Sequence, residues 1–209
     1  MKYYPPFITY KEGRFPNGTM TQGFGENIDL YKRFGFPAGH NGIDLVAPHG
    51  TLLHAVEDAI VVDVNDNPQG YGKHLRLHSL EKDGNLTRQW VYAHNDTQFV
   101  KVGQTVKRGE PICTMGNTGF VVSGSTPFWQ YNPFAGTHLH IGMRYVNEGR
   151  GTFSYPGSDI TFTIKDYNNG YHGYVDIEGM FEEKDVKGQL RTSQMTVIGL
   201  LNKLIKRLS

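Results

Sequence analysis

Short stretches of alternating apolar and polar residues, broken repeatedly by glycine, proline and asparagine, restrict what this chain can build. Ala59-Ile-Val-Val-Asp-Val64 carries the branched side chains of a strand and runs into Asn65-Asp-Asn-Pro68, a turn. Lys73-His-Leu-Arg-Leu-His78 alternates, with Leu75 and Leu77 on one face. Gln89-Trp-Val-Tyr-Ala-His94 reads as the next strand, and Asp83-Gly84 supplies the turn between the two. Two glycine-marked turns punctuate Val100 to Gly109, and Thr137 to Tyr145 alternates again. Many short strands with turns between them predict a mainly β fold, an antiparallel sandwich or barrel.

The rest of the chain gives weaker signals. Residues 1–40 show no helical period, although Asp29 to Arg33 suits one helical turn. Residues 124–136 form a loop rich in proline and aromatic residues. Residues 150–180 are rich in glycine and tyrosine, with Thr161 to Ile164 readable as one more strand. The tail differs. Val197, Ile198, Leu201, Leu204, Ile205 and Leu208 recur at steps of three and four, with Asn202, Lys203, Lys206 and Arg207 opposite. That pattern predicts a short amphipathic, basic C-terminal helix over 192–209. Packing on its own domain or on a second copy is the plainer reading; weak attachment to an anionic membrane surface is the sharper one.

The chain has 209 residues, enough for one main core. Its formal net charge of +1 gives no electrostatic reason to expect nucleic acid as a partner. The single cysteine, Cys113, excludes an internal disulfide and reads as a small packing residue. The N-terminus lacks the basic start and apolar run of a secretion signal, and no apolar stretch is long enough to span a bilayer. The expectation is synthesis in the cytoplasm, with export or lysis bringing the chain to any target outside.

Three patterns among the nine histidines carry chemistry. In His40-Asn-Gly-Ile-Asp44, an imidazole and a carboxylate, both good zinc ligands, stand four positions apart, on one side of a strand if that strand is regular. In His138-Leu-His140, the i, i+2 spacing points both rings to one strand face. Two adjacent imidazoles suit metal binding or proton transfer, and a pair of exposed strand histidines is the even alternative. Tyr92-Ala-His94 alone would be a surface histidine at a strand end. His74 and His78 share a face with Arg76 and look like a polar sheet surface. His49 follows Pro48 in a turn, and the sequence alone does not name the partners of His54 and His172.

Taken as a set, these patterns resemble the lysostaphin-type (LytM-like) zinc peptidoglycan endopeptidases. The matching stretches are Gly39-His-Asn-Gly-Ile-Asp-Leu45, Ala47-Pro-His-Gly-Thr51, Tyr92-Ala-His94, Val102-Gly-Gln-Thr-Val-Lys-Arg-Gly109, Met115-Gly-Asn-Thr-Gly119 and Thr137-His-Leu-His-Ile-Gly142, with Gln22-Gly-Phe-Gly25 upstream. The resemblance covers roughly residues 19–147. It implies one zinc ion held by His40, Asp44 and His140, with His94 and His138 as catalytic histidines outside the ligand set. It also implies peptidoglycan stem peptides or cross-bridges as the substrate.

The expected organisation is a catalytic domain over 1–150, an extension of open role over 151–191, and the helix over 192–209. The segment between Gly119 and Thr137 is longer than the family's usual linker. Its Phe128, Trp129 and Tyr131 read equally as groove residues or as surface packing. Two other functions stay open: a wall-binding or regulatory module without catalysis, and a virion-associated structural protein that carries the domain, for which a phage origin or release by lysis is plausible. Which histidine is the base, and whether Gly-Gly or D-amino-acid bonds are cut, is not written in the sequence.

Overall fold

The computed structural model describes residues 2–7, 14–16, 18–123, 126–127 and 132–182. The expected tail helix and the aromatic trio Phe128, Trp129 and Tyr131 lie outside the described residues. The strands, in chain order, are β1 (Met20–Gln22), β2 (Ile43–Leu45), β3 (Leu52–His54), β4 (Ala59–Asn67), β5 (Gly72–Asp83), β6 (Leu86–Ala93), β7 (Asn95–Gln98), β8 (Thr105–Val106), β9 (Pro111–Met115), β10 (Val122–Ser123), β11 (Thr126–Pro127), β12 (Leu139–Phe153), β13 (Phe162–Ile164) and β14 (Tyr174–Val175). The short helix α1 (Ile28–Tyr31) runs directly into a 3-10 turn at Lys32–Phe34, where one helical turn was expected.

The main sheet runs β1-β2-β12-β6-β5-β4-β8, with β13 and β14 also pairing with β12. All these pairings are antiparallel, as the alternating patterns predicted. A second, three-stranded sheet runs β3-β9-β7. Between β5 and β6, Asp83 pairs with Leu86, and Gly84 sits at φ 60° in the first of the two turn positions. A type II′ turn demands glycine there, so the strand register is fixed locally.

Strand parity divides the main sheet into two faces. Ile43, Leu45, Leu75, Leu77, Trp90, Tyr92, Leu139, Ile141 and Met143 are all buried in the hydrophobic core. Leu53, Ile112, Cys113 and Met115 of the smaller sheet join the same core. Each such fully buried large side chain stabilises the fold by about 1.5–3 kcal/mol. Trp90 keeps its ring N–H satisfied by donating to Glu57 Oε1 at 2.6 Å. Cys113 is fully buried, and burial pushes its thiol pKa up, so it acts as a packing residue.

The opposite face is polar, and it carries Asp44, His74, Arg76, His78, Gln89, His140 and Arg144. Here one expectation fails: His74 and His78 are not surface residues but 3% and 0% exposed. Tyr71 packs against His74, whose Nε2 lies 3.4 Å from Asp63 Oδ2, and residues beyond the end of β12 cover His78. Phe162 of β13 meets the His78 ring edge-on at 5.3 Å. His78 Nδ1 is 2.6 Å from Glu148 Oε1, and its Nε2 is 2.7 Å from the Gln89 amide. Arg144 Nε donates to Gln89 Oε1 at 2.8 Å, and Tyr155 Oη donates to the same oxygen at 3.0 Å. A polar face that looks solvated from its alternation is thus paired internally under a second layer.

Candidate metal centre and groove

The functional residues gather on this polar face, at the end the second layer leaves open. Asp44 is central in β2, and His140 pairs with it across the β2–β12 register. His40 precedes β2 in an irregular bend rather than in the regular strand the spacing suggested. Its place is set by two backbone hydrogen bonds, Gly25 N to His40 O at 2.8 Å and His40 N to Glu26 O at 2.9 Å.

The three side chains converge. His40 Nε2 is 2.8 Å from His140 Nδ1 and 3.1 Å from Asp44 Oδ1, and His140 Nδ1 is 3.0 Å from the same carboxylate oxygen. They form a group able to hold a metal ion. The proton inventory tests that fit. His40 Nδ1 lies 2.9 Å from the carbonyl of Gly23, so it carries the ring proton and its Nε2 presents a lone pair. Among the described residues, His140 Nε2 is buried with no hydrogen-bond partner. With the His140 proton on Nε2, three lone-pair atoms face one another; with it on Nδ1, a buried acceptor is left unpaired. A cation among the three atoms relieves the repulsion in the first of these arrangements, and two imidazoles with one carboxylate are a donor set that zinc favours.

The surroundings hold His140 in place. Gly42 stands against its ring: a Cβ there would lie 2.8 Å from His140 Cε1 and 2.4 Å from the Ile141 carbonyl oxygen. Burial pushes His140 down to about 4, against the pull of the Asp44 carboxylate, so the ring is neutral as a metal ligand must be. Burial alone would raise Asp44, but His138, His140 and His40 outweigh it and hold the carboxyl well below its usual range.

His94 and His138 stand beside this group, ring centroids 4.5 Å apart. His94 Nδ1 is 2.8 Å from the Thr118 carbonyl, and His138 Nδ1 is 2.7 Å from that of Gly136. Each Nδ1 therefore carries a proton, and each Nε2 is free to exchange one. Burial first, and then the neighbouring His138 and His140, press His94 well below the usual histidine range and keep it neutral. His94 also has φ 60°, an uncommon backbone for a residue with a side chain, at the end of β6. All five residues singled out from sequence are thus brought to one place.

A groove of about 620 Å³ opens in front of them. Leu30, Tyr31, Phe34 and Phe36 line one wall, Phe120, Val121 and Val122 the other, and Phe34 meets Phe120 at 5.0 Å. Among the described lining residues Asp44 is the only acid, and none is Lys or Arg. Sequence reasoning missed Tyr31 and Tyr71. Tyr31 lies 4.9 Å from the His40 ring and accepts a hydrogen bond from Gln22 Nε2 at 2.9 Å, and nothing local in the sequence signals it. Tyr71 stacks on His140, and its place between Gly70 and Gly72 was a readable hint of close packing.

Comparison with known proteins agrees with this geometry. The profile for Peptidase family M23 matches residues 38–152, a span that contains all five residues. The "Uncharacterized lipoprotein YgeR" of Escherichia coli K12 is 42% identical over 80 residues, 38% of this chain and 30% of that protein. The "Murein hydrolase activator NlpD" of Salmonella dublin is 32% identical over 127 residues, 60% of this chain and 29% of that one. The "Glycyl-glycine endopeptidase ALE-1" of Staphylococcus capitis is 31% identical over 133 residues, 63% of this chain and 34% of that one. The matched region spans about a third or less of each of these relatives.

Proposed function

The chain belongs to Peptidase family M23, and from that premise we propose that it is a zinc-dependent endopeptidase that hydrolyses peptide cross-links of bacterial peptidoglycan. The observation that carries the reading is the convergence of His40, Asp44 and His140 on one point, with His94 and His138 free at Nε2 beside it. In this reading His40, Asp44 and His140 hold one zinc ion. When bound, zinc supplies Lewis acidity, polarising the scissile carbonyl and lowering the pKa of a water from about 16 to about 7.

The chain's own residues move the protons. His94, kept neutral by burial, accepts a proton at Nε2 from the attacking water. It then returns that proton to the leaving amine as the C–N bond breaks. His138 Nε2 lies 3.9 Å from Asp44 Oδ2, where, when it carries a proton, it donates to the oxyanion of the tetrahedral intermediate. The groove, with no Lys or Arg among its described lining residues, binds the flanking peptide by apolar contact and backbone hydrogen bonds rather than by ion pairs.

The similarity to a murein hydrolase activator supplies a second reading, a wall-associated module that does not cut. The filled set of five residues favours catalysis over it. Metal analysis of the purified chain, with digestion of purified peptidoglycan followed by mass spectrometry of the fragments, separates the two. The peptidase reading expects about one zinc per chain and new amine termini in the peptides. A zinc-loaded chain that leaves walls of every cross-link type intact sinks it.

A further inference from the structure

The groove wall made by α1 and the 3-10 turn has no anchor in the core: no residue from Ile28 to Phe34 is buried. Yet this wall supplies Leu30, Tyr31 and Phe34 to the groove. Beyond the contacts of Tyr31 with Gln22 and His40 and of Phe34 with Phe120, it is tied down at its two flanks, Phe24 and Phe36. Both pack on one loop, residues 166–174, which is outside the stretch that matches the family.

That loop is built to be rigid. The Asn169 side chain ties it together: its Oδ1 accepts from the backbone N–H groups of Tyr171 at 2.8 Å and Gly173 at 3.0 Å, and its Nδ2 donates to the Tyr174 carbonyl at 3.0 Å. Asp166 and His172 are held at φ 52° and 53°, a left-handed backbone uncommon for residues with a side chain. Arg144 of β12 donates to the His172 carbonyl at 3.3 Å, fastening the loop to the sheet that carries His140. The knotted loop then presents two rings to the wall. Tyr171 lies 4.3 Å from Phe24, and His172 is sandwiched between Tyr167 at 4.9 Å and Phe36 at 4.5 Å. The Ala38 N–H adds a hydrogen bond to the Gly170 carbonyl at 3.3 Å, two residues before His40.

We propose that Tyr171 and His172 are positioning residues. Through Phe24 and Phe36 they hold the substrate-facing wall at the distance from the metal centre that peptide binding requires. The proposal rests on the peptidase reading for its substrate, but not for its structural content. It gives the extension a role in binding the peptide rather than in bond cleavage.

The test is the Tyr171→Ala/His172→Asn double variant of the full chain; Asn tolerates the left-handed backbone at 172. Kinetics on a soluble cross-linked muropeptide should show KM raised roughly tenfold, the loss expected of one or two aromatic pairs. kcat should stay within about twofold, because no proton-transferring group is touched. Zinc content should be unchanged. Amide hydrogen exchange should quicken over 27–36 but not in β5 and β6, and Tyr171→Phe should behave as wild type.

Unchanged KM and unchanged exchange over 27–36 overturn the proposal. So does loss of zinc and of exchange protection throughout the sheet, which would make the loop a general stabiliser. If the double variant does not fold, Tyr171→Ala alone is read by the same exchange measurement. A wild-type chain that cleaves no muropeptide removes the peptidase reading, while the exchange data still judge the loop.

Discussion

Tyr71 lies nearly flat on the imidazole of His140, ring centroids 5.2 Å apart and planes 25° from parallel. Its hydroxyl accepts a hydrogen bond from Asn41 Nδ2 at 2.6 Å, so the ring that backs His140 is itself pinned. Side chains behind a metal ligand commonly affect affinity by about 10–100-fold. Tyr71→Leu should therefore weaken zinc binding by roughly tenfold, measured by competition with a chromogenic chelator. Tyr71→Phe, which keeps the stack, should lose less. Equal affinities in all three proteins would show that the stack does not orient His140.

The two classes of histidine should separate in a single experiment. Asp44→Ala and His140→Ala should lose bound zinc on dialysis. His94→Ala and His138→Ala should keep it, while muropeptide cleavage falls by about 10²–10⁴-fold, the usual range for general acid–base groups. Zinc retention read by elemental analysis, set beside the cleavage rate, decides each assignment. A His94→Ala protein that cleaves at the wild-type rate would remove the proton-transfer role given to it here.

Acid should unfold the protein through its outer polar face. Burial alone would raise the Asp63 carboxyl, but a hydrogen bond from His74 and the Arg76 guanidinium outweigh it and hold it below 3.8. The hydrogen bond from His78 is the main influence holding Glu148 below 4.5, against a smaller opposing effect of burial. Both groups therefore bind protons more readily when unfolded. Their stabilising contribution is complete above those ordinary values and is lost as pH falls through the lower folded ones. Thermal melts from pH 7 to pH 2 should show Tm falling steeply below about pH 4. Asp63→Asn should start lower at pH 7 and fall less. A variant with the same slope as wild type would exclude this source of acid sensitivity.

Gly42→Ala should damage the metal centre without touching a ligand. The new methyl would collide with the Ile141 carbonyl oxygen and with His140 Cε1, and the sheet backbone has no room to yield. A cost of about 1–3 kcal/mol in denaturant unfolding is expected for overpacking of this kind, together with weakened zinc binding. Wild-type values for both would mean that the close approach relaxes freely.

The parts of this molecule that were legible in its sequence are those fixed by local rules. The Leu75 and Leu77 alternation gave the core face of β5, and Gly84 gave the turn that sets the β5–β6 register. The i, i+2 spacing of His138 and His140 brought both rings to the groove, although β12 itself begins at Leu139. The outer layer was not legible. His74, Arg76 and His78 alternate as any solvated strand face does, because a polar face paired with Asp63, Glu148 and Gln89 has the same pattern as one paired with water. Only the packing of Tyr155 and Phe162 decides between them, and although Thr161 to Ile164 reads as a strand, nothing local says what that strand covers. The bend at His40 was hidden for a similar reason. Its position depends on hydrogen bonds to Gly25 and Glu26 across a turn, not on strand geometry.

The backbone of His94 sets two demands on one position against each other. At φ 60°, glycine would relieve the conformational penalty that any side chain bears there, a penalty of about 1 kcal/mol or more. A chain selected for resistance to heat alone would have reason to discard the imidazole and tighten the end of β6. On the peptidase reading, the histidine therefore marks a place where this protein gives up durability for reactivity, and where engineering for ruggedness would silence it first.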